Sequence, residues 1–344
     1  MRQLFKWTAV FVILVLLQSC AQPEVRTARS VGATSEILVV TQNQEQWDGK
    51  AGEAIRAYFA QDQYGLPQAE PLYRIANITV SNLSEMFKKH RNILVVEYDK
   101  KLKEPVAEMR TNLWAQPQRV FKITAADADS WVAEFDEQKE GFLSLFNQSE
   151  RERLMNIYRP TADYKVINEV EKTFGFKLLI PEGFYVAKNE GNFMWIRKEL
   201  ADYGQGLILY SRPYRDTADL NNSKLISVRD SLLYRHIPGP VEGSFMSTEK
   251  EFVLPQSKVV LNFSTSYTIE TRGLWNVVGD FMAGPFLAYT IVDESHGRLI
   301  TVEGYVYAPG KDKRDFLRQL EAILYTFELP QKESDGEQAD LVER

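Results

Sequence analysis

Very little in this 344-residue chain is placed to do covalent chemistry, and the clearest candidate is its single thiol, Cys20. It follows Leu17-Gln18-Ser19 at the end of an apolar run, so residue types and spacing read as a site of cleavage and acylation. A lone cysteine rules out an internal disulfide or a cysteine-rich zinc site. His90, His236 and His296 are widely separated and fall in no His-Glu-x-x-His set; they read as exposed helix-end or turn residues, and no metal site is expected. No Gly-x-Ser-x-Gly elbow, phosphate loop or dinucleotide glycine fingerprint is present, so no catalytic residue is selected and no cofactor is expected. The 47 acidic residues guarantee chance carboxylate pairs, and spacing along the chain singles out none for glycosidase-like chemistry.

The strongest local anomaly is Glu270-Thr271-Arg272-Gly273-Leu274-Trp275-Asn276, followed by Gly279-Asp280-Phe281-Met282-Ala283-Gly284-Pro285-Phe286. Its glycines permit a tight hairpin, and its large apolar groups define a candidate binding surface of Trp275, Phe281 and Phe286 with Arg272 and Asp280 as polar handles. The competing reading is a hairpin whose aromatics close one end of a domain core. Arg235 to Gly243, containing Ile237-Pro238-Gly239-Pro240, is a rigid exposed connection for which binding and mere joining look alike.

These residues need elements to hold them. Residues 1–19 have the order of a secretory leader, with Arg2 and Lys6 before the apolar stretch Trp7 to Leu17. As a helix that stretch spans roughly 17 Å, short of the ~30 Å hydrocarbon core. Loss of the leader removes both cations and moves the formal charge from −6 to −8. An acidic body without a basic stripe argues against a nucleic-acid partner. Residues 20–34 read as the lipidated cysteine and a flexible tether, and 331–344 as a disordered, charged tail.

Between these, apolar periodicity predicts two α+β domains, 35–160 and 161–330, each resembling a small α/β sandwich. In the first, strands at 37–40, 73–80, 93–98 and 119–124 alternate with helices at 49–60 and 83–90. A long helical region from 125 to 158 closes it, with Gly141 as a bend. Arg159-Pro160-Thr161 is the boundary, because proline restricts its predecessor away from helix. In the second, a helix over 162–174 precedes strands at 177–180, 193–198, 207–212, 259–271, 286–292 and 299–307. The last three pair antiparallel because their connections are too short for crossover helices. Helices at 222–234 and 312–327 pack on this largely antiparallel sheet, the latter through Phe316, Leu320, Ile323, Leu324 and Phe327.

Leu17-Gln18-Ser19-Cys20 resembles the lipobox of bacterial lipoproteins, whose cysteine is acylated and becomes the mature N-terminus. Together with Ile237-Pro238-Gly239-Pro240, the Glu270–Trp275 block, Phe281-Met282-Ala283-Gly284-Pro285 and Tyr307-Ala308-Pro309-Gly310 with Lys313-Arg314, the chain resembles an uncharacterised family of Bacteroidetes lipoproteins, described as a domain of unknown function. The resemblance implies a membrane-lipid anchor through Cys20 and an envelope location. Ala21-Gln22-Pro23-Glu24 lacks both the acidic cluster of surface-exported relatives and an inner-membrane retention aspartate, which implies the periplasmic face of the outer membrane. Asp216-Thr217-Ala218 and Asp230-Ser231-Leu232 resemble the O-glycosylation tripeptides of that phylum. The leading expectation is a non-enzymatic protein that binds or scaffolds an envelope protein. The alternatives are an envelope glycan or peptidoglycan hydrolase using unrecognised carboxylates, or a carrier of a small apolar ligand.

Overall fold

The structure, a computed structural model, describes residues 28–264 and 266–330. The leader, Cys20 with its expected acylation, and the tail 331–344 lie outside those residues.

The N-terminal half builds one sheet from Glu36–Thr41 (β1), Arg74–Thr79 (β2), Asn92–Tyr98 (β3), Val106–Thr111 (β4) and Arg119–Ala125 (β5), in the order β2-β1-β3-β5-β4. Strands β2, β1, β3 and β5 are parallel and β4 is an antiparallel edge. Parallel neighbours need crossovers. Gln44–Asp48 (α1) and Lys50–Phe59 (α2) connect β1 to β2, and the short Glu85–Lys88 (α3) connects β2 to β3. Ala128–Tyr158 (α4) follows β5. Its first turn is fixed by Asp127, whose side chain accepts from the Ser130 backbone while Ser130 reaches back. Helices α2 and α4 cover one face through Ile55, Phe59, Trp131, Phe135, Phe142 and Phe146, which recur at helical spacing. Helix α4 runs through Gly141 unbroken, so the expected bend is absent; an added Cβ there would meet open space.

Residues 28–34 differ from the expected tether. The Ser30 N–H donates to the Gln116 carbonyl, the Gln116 N–H to the Ala28 carbonyl, and the Val31 and Arg91 backbones are bonded alongside. The described chain is thus bonded to connections of the first half from Ala28 onward.

The second sheet is antiparallel throughout. Its strands are Tyr185–Asn189 (β6), Phe193–Glu199 (β7), Gly204–Pro213 (β8), Phe245–Thr248 (β9), Gln256–Val260 (β10), Thr268–Val278 (β11), Ala283–Asp293 (β12) and Arg298–Tyr307 (β13). The order is β10-β11-β12-β13-β8-β7-β6, with β9 on β11 beyond the end of β10. The strand expected over 259–271 is two strands, and 177–180 makes only a single bridge, Lys177 to Glu328. Tyr164–Phe174 (α5) and Arg314–Leu324 (α7) pack on one face, and Asn222–His236 (α6) on the other. The molecule is therefore α+β, with helices packed on a largely antiparallel second sheet.

Helix α7 joins the two halves. Leu317, Leu320, Ile323 and Leu324 enter the core of the second sheet, while Arg314 and Arg318 are buried against the first half. The buried Glu70 carboxylate accepts from the Lys313 N–H at 2.7 Å and the Arg314 N–H at 2.9 Å, capping α7 from another part of the chain. Arg318 donates to the Tyr73 hydroxyl, the Asn147 side chain and the Leu72 carbonyl, with its guanidinium 4.5 Å from the Tyr73 ring centre. Burial pushes the Tyr73 phenol up to about 12, so it stays neutral beside Arg318.

Candidate functional site

On the α6 side of the second sheet, large aromatics stand opposite glycines on neighbouring strands. Tyr305 pairs with Gly206, Phe286 with Gly273, Trp275 with Gly284 and Tyr307 with Gly204. The pairing lets rings lie down over bare backbone. A Cβ at Gly206 would sit 2.1 Å from the Tyr305 ring, and one at Gly284 would sit 2.0 Å from the Val306 carbonyl oxygen. Across Gly284 the Trp275 indole reaches that carbonyl and donates to it at 3.2 Å. The Trp195 indole donates to the Tyr305 hydroxyl at 2.8 Å, linking β7 to β13.

Helix α6 covers Phe193, Ile208, Tyr210, Phe286 and Ala288 through Ile226 and Leu233, and then stops at His236. Pro238 and Pro240 follow, where proline cannot continue a helix. The last rows of the sheet are left without a helix above them. A cleft of about 910 Å³ lies there, floored by Trp195, Tyr305, Trp275 and Tyr307. The Ile237–Pro240 turn with Met246, Val277 and Met282 forms one wall, and Leu200–Gly204 with Pro309 and Lys311 forms the other. At its mouth Arg197 pairs with Glu199, and Lys311 with Asp202 at 3.0 Å. Burial pushes Tyr305 up to about 12, against the pull of the Trp195 hydrogen bond. As a neutral phenol that already accepts from Trp195, it retains one O–H for a ligand acceptor.

The five residues of the sequence-derived candidate surface do not come together. Trp275, 3% exposed, is in the cleft floor. Phe281 is 91% exposed at the tip of the β11–β12 hairpin. Asp280 shapes that tip by accepting from the Met282 N–H at 3.0 Å. Phe286 is 0% exposed, beneath the Arg229 guanidinium, which lies 3.8 Å from its ring centre and makes a two-pronged ion pair with Glu303. Arg272 points to the opposite face, because side chains alternate along a strand. Cleft residues absent from the sequence-derived surface include Trp195, Tyr203, Tyr305, Tyr307 and Lys311. The i, i+2 spacing of Tyr305 and Tyr307 places both rings on one face of their strand, and no local pattern marks the other three.

Arg272 joins two carboxylates. Its Nε and Nη2 donate to Glu270 at 3.0 and 3.2 Å, and Nη2 to Glu321 at 2.8 Å, while the Tyr289 hydroxyl bonds both. Burial alone would raise Glu270, but Arg272 overrides it and holds the carboxyl down at about 2. That is the reverse of a general acid, which needs a raised pKa.

The histidines divide. His90, expected to be exposed, is buried with Nδ1 2.9 Å from the Asn92 carbonyl, and burial lowers its pKa. His236 stacks on Phe193 at 4.4 Å, and His296 sits in a turn 2.9 Å from Asp293. Among the described residues no group of three or more His, Cys, Asp or Glu is arranged to hold a metal ion. Of the two glycosylation tripeptides, Thr217 is exposed in a short turn and Ser231 lies on α6.

Fold and cleft together define a two-domain α+β protein with an aromatic-lined cleft. Residues 163–326 match the model of a domain of unknown function (DUF4837), and residues 30–159 match a second domain of unknown function (DUF8532). Between them the two matches account for most of the chain, leaving residues 1–29, 160–162 and 327–344 outside. No curated protein matches it. Among solved structures, the human StarD13 (DLC2) lipid transfer and protein localization domain is similar at 9% identity over 48% of this chain and 95% of that one. Its TM-score is 0.21, too low for the likeness to carry an argument.

Proposed function

We propose that this protein is a membrane-anchored lipoprotein of a Bacteroidetes cell envelope, held by acyl chains on Cys20 at the periplasmic face of the outer membrane. Its second domain binds an envelope protein in the aromatic cleft and catalyses no reaction. The observation that carries this reading is apolar surface continuing out of the cleft. From Trp195, Tyr307 and Met282 it extends to the exposed Phe281 and Val278 on the hairpin and to Val241 beside the Pro238–Pro240 turn. The turn between β11 and β12 packs against the Val241 loop, since an added Cβ at Gly279 would meet Ser244, which bonds Val241. An exposed apolar patch continuous with a cleft is the form of a protein-contact site. No helix among the described residues is long and apolar enough to cross a membrane, so the anchor in this reading is the lipid alone.

A photo-crosslinking residue placed at Phe281 in cells tests the contact. One specific crosslinked species is expected from membranes. Trp195→Ala should weaken it about 30-fold, as loss of a buried aromatic anchor costs about 2 kcal/mol or more. Absence of any specific species under several growth conditions defeats the reading. The anchor is tested by fatty-acid labelling, which Cys20→Ala should abolish.

A second reading, carriage of a small apolar molecule, is favoured by cleft size, since about 910 Å³ lies within the range of small-molecule sites. Native mass spectrometry would show a co-purifying ligand that Trp195→Ala releases.

A further inference from the structure

A second hollow, of about 720 Å³, opens where the two halves meet, between α4, the segment joining β4 to β5, and the C-terminal end of α7. Its chemistry is opposite to that of the aromatic cleft. Four charged residues line it: Arg119, Arg151, Arg159 and Glu152. Arg119 and Glu152 pair at 3.2 Å and cancel. Arg151 lies 3.7 Å from the Tyr325 ring centre, and neither Arg151 nor Arg159 has a carboxylate in ion-pair range among the described residues. The buried Arg119 Nε also has no acceptor. Two guanidinium groups without a carboxylate partner, Arg151 half-buried and Arg159 exposed, therefore line one hollow, where their combined charge favours an anion.

The path of the chain gives the hollow a position. Gln116, which lines it, exchanges backbone hydrogen bonds with Ala28 and Ser30. Cys20 precedes Ala28 by eight residues, at most about 28 Å of extended chain. A compact body of this length is about 50 Å across. An acyl anchor on Cys20 thus keeps this side of the molecule at the bilayer, and the exposed Arg29 adds another cation to the same segment.

We infer that the arginine hollow at the domain junction receives the phosphate-bearing headgroup of an anionic membrane lipid, giving the protein a second point of attachment to its bilayer. This rests on the reading of Cys20 as acylated. The chemistry is a phosphate oxyanion against guanidinium N–H donors. A free phosphate offers the same chemistry, but the short link from Cys20 brings the hollow to the surface where anionic headgroups are concentrated.

The test uses the chain from residue 20 carrying Cys20→Ser, which keeps every described residue and has no acyl chain. It should co-sediment with vesicles containing phosphatidylglycerol and not with phosphatidylcholine alone. Arg151→Gln and Arg159→Gln should each weaken retention about fivefold, and together about 25-fold. Lys100→Gln, beyond the opposite end of β3, should leave it unchanged, and unaltered thermal unfolding shows that the variants are folded. Equal retention on both vesicle types overturns the proposal, as does retention of the double variant at the parent level. If inorganic phosphate binds in an arginine-dependent way by calorimetry while vesicles retain nothing, the hollow serves a soluble anion and the bilayer site is wrong. Because no acyl chain is present, this outcome is independent of the anchor. Vesicle binding without fatty-acid labelling of the native chain would overturn Cys20 acylation and leave the headgroup site standing.

Discussion

Replacing Glu270 by glutamine separates a structural role for Arg272 from the ligand-binding role its sequence context raised. Glu270 is buried and accepts from Arg272 twice and from Tyr289 once, with Lys258 3.4 Å away. Burial works against its charge, yet the guanidinium wins and holds the carboxyl at about 2, against 4.5 for a free glutamate. That difference is worth about 3 kcal/mol of folding stability. Since the folded pKa is the lower one, the contribution is complete above pH 4.5 and is lost as pH falls towards 2. Glu270→Gln should therefore lower the urea midpoint at pH 7 by about 1.5 M, for a slope near 2 kcal/mol/M. The gap between parent and variant should close between about pH 5 and pH 2. Tryptophan fluorescence follows the transition, since Trp275 lies on the strand that carries both residues. A gap that is absent at pH 7, or that persists unchanged to pH 2, refutes the assignment of Arg272 to an internal ion network.

Glu70→Ala should remove two charge-assisted hydrogen bonds from the start of α7, at a cost of about 2 to 4 kcal/mol, and speed hydrogen exchange over residues 313–318. Unchanged protection there would mean that α7 does not depend on the first half for its cap. Gly284→Ala should cost at least about 2 kcal/mol, because the new methyl overlaps the Val306 carbonyl that receives the Trp275 indole. A red-shifted Trp275 emission and loss of the Phe281 crosslink should accompany it, and a parent-like melting temperature would refute the glycine–aromatic stacking.

Much of the fold is legible as periodicity. Ile37 to Val40, Ile93 to Tyr98 and Phe286 to Val292 are buried strands where their apolar runs place them, and the helical returns of Trp131, Phe135, Phe142 and Phe146 mark the face that α4 buries. Strand β4 escapes such a reading because Val106–Thr111 is an exposed edge with mixed side chains, held by backbone bonds to β5. The long strand expected over 259–271 fails for a related reason, since continuous β-propensity does not show where a chain leaves one neighbour for another. The candidate surface scattered because its residues were grouped by nearness in sequence. One step along β11 reverses the face, so Arg272 and Trp275 end in different layers. The cleft instead draws Trp195, Trp275 and Tyr305 from three strands, which a register fixes and a local motif cannot.

The cleft and the arginine hollow lie towards opposite ends of α7, and that spacing ties the two proposals together. Lys311, just before the helix, borders the cleft, while Ala322 and Tyr325 at its far end border the hollow. Eleven helical residues separate them by about 16 Å. Arg314 and Arg318 fix the helix to the first half, and the apolar stripe fixes it to the second, so neither site can turn independently of the other. If the hollow meets the bilayer, the cleft is therefore held away from the lipid surface, open to a partner in the aqueous space. Weakening the Glu70 cap should then reduce the Phe281 crosslink without changing vesicle retention, because it loosens the start of α7 next to Lys311, which borders the cleft, and leaves the arginines in place. Loss of both together would show that the two sites depend on one common fold rather than on the fixed spacing along α7.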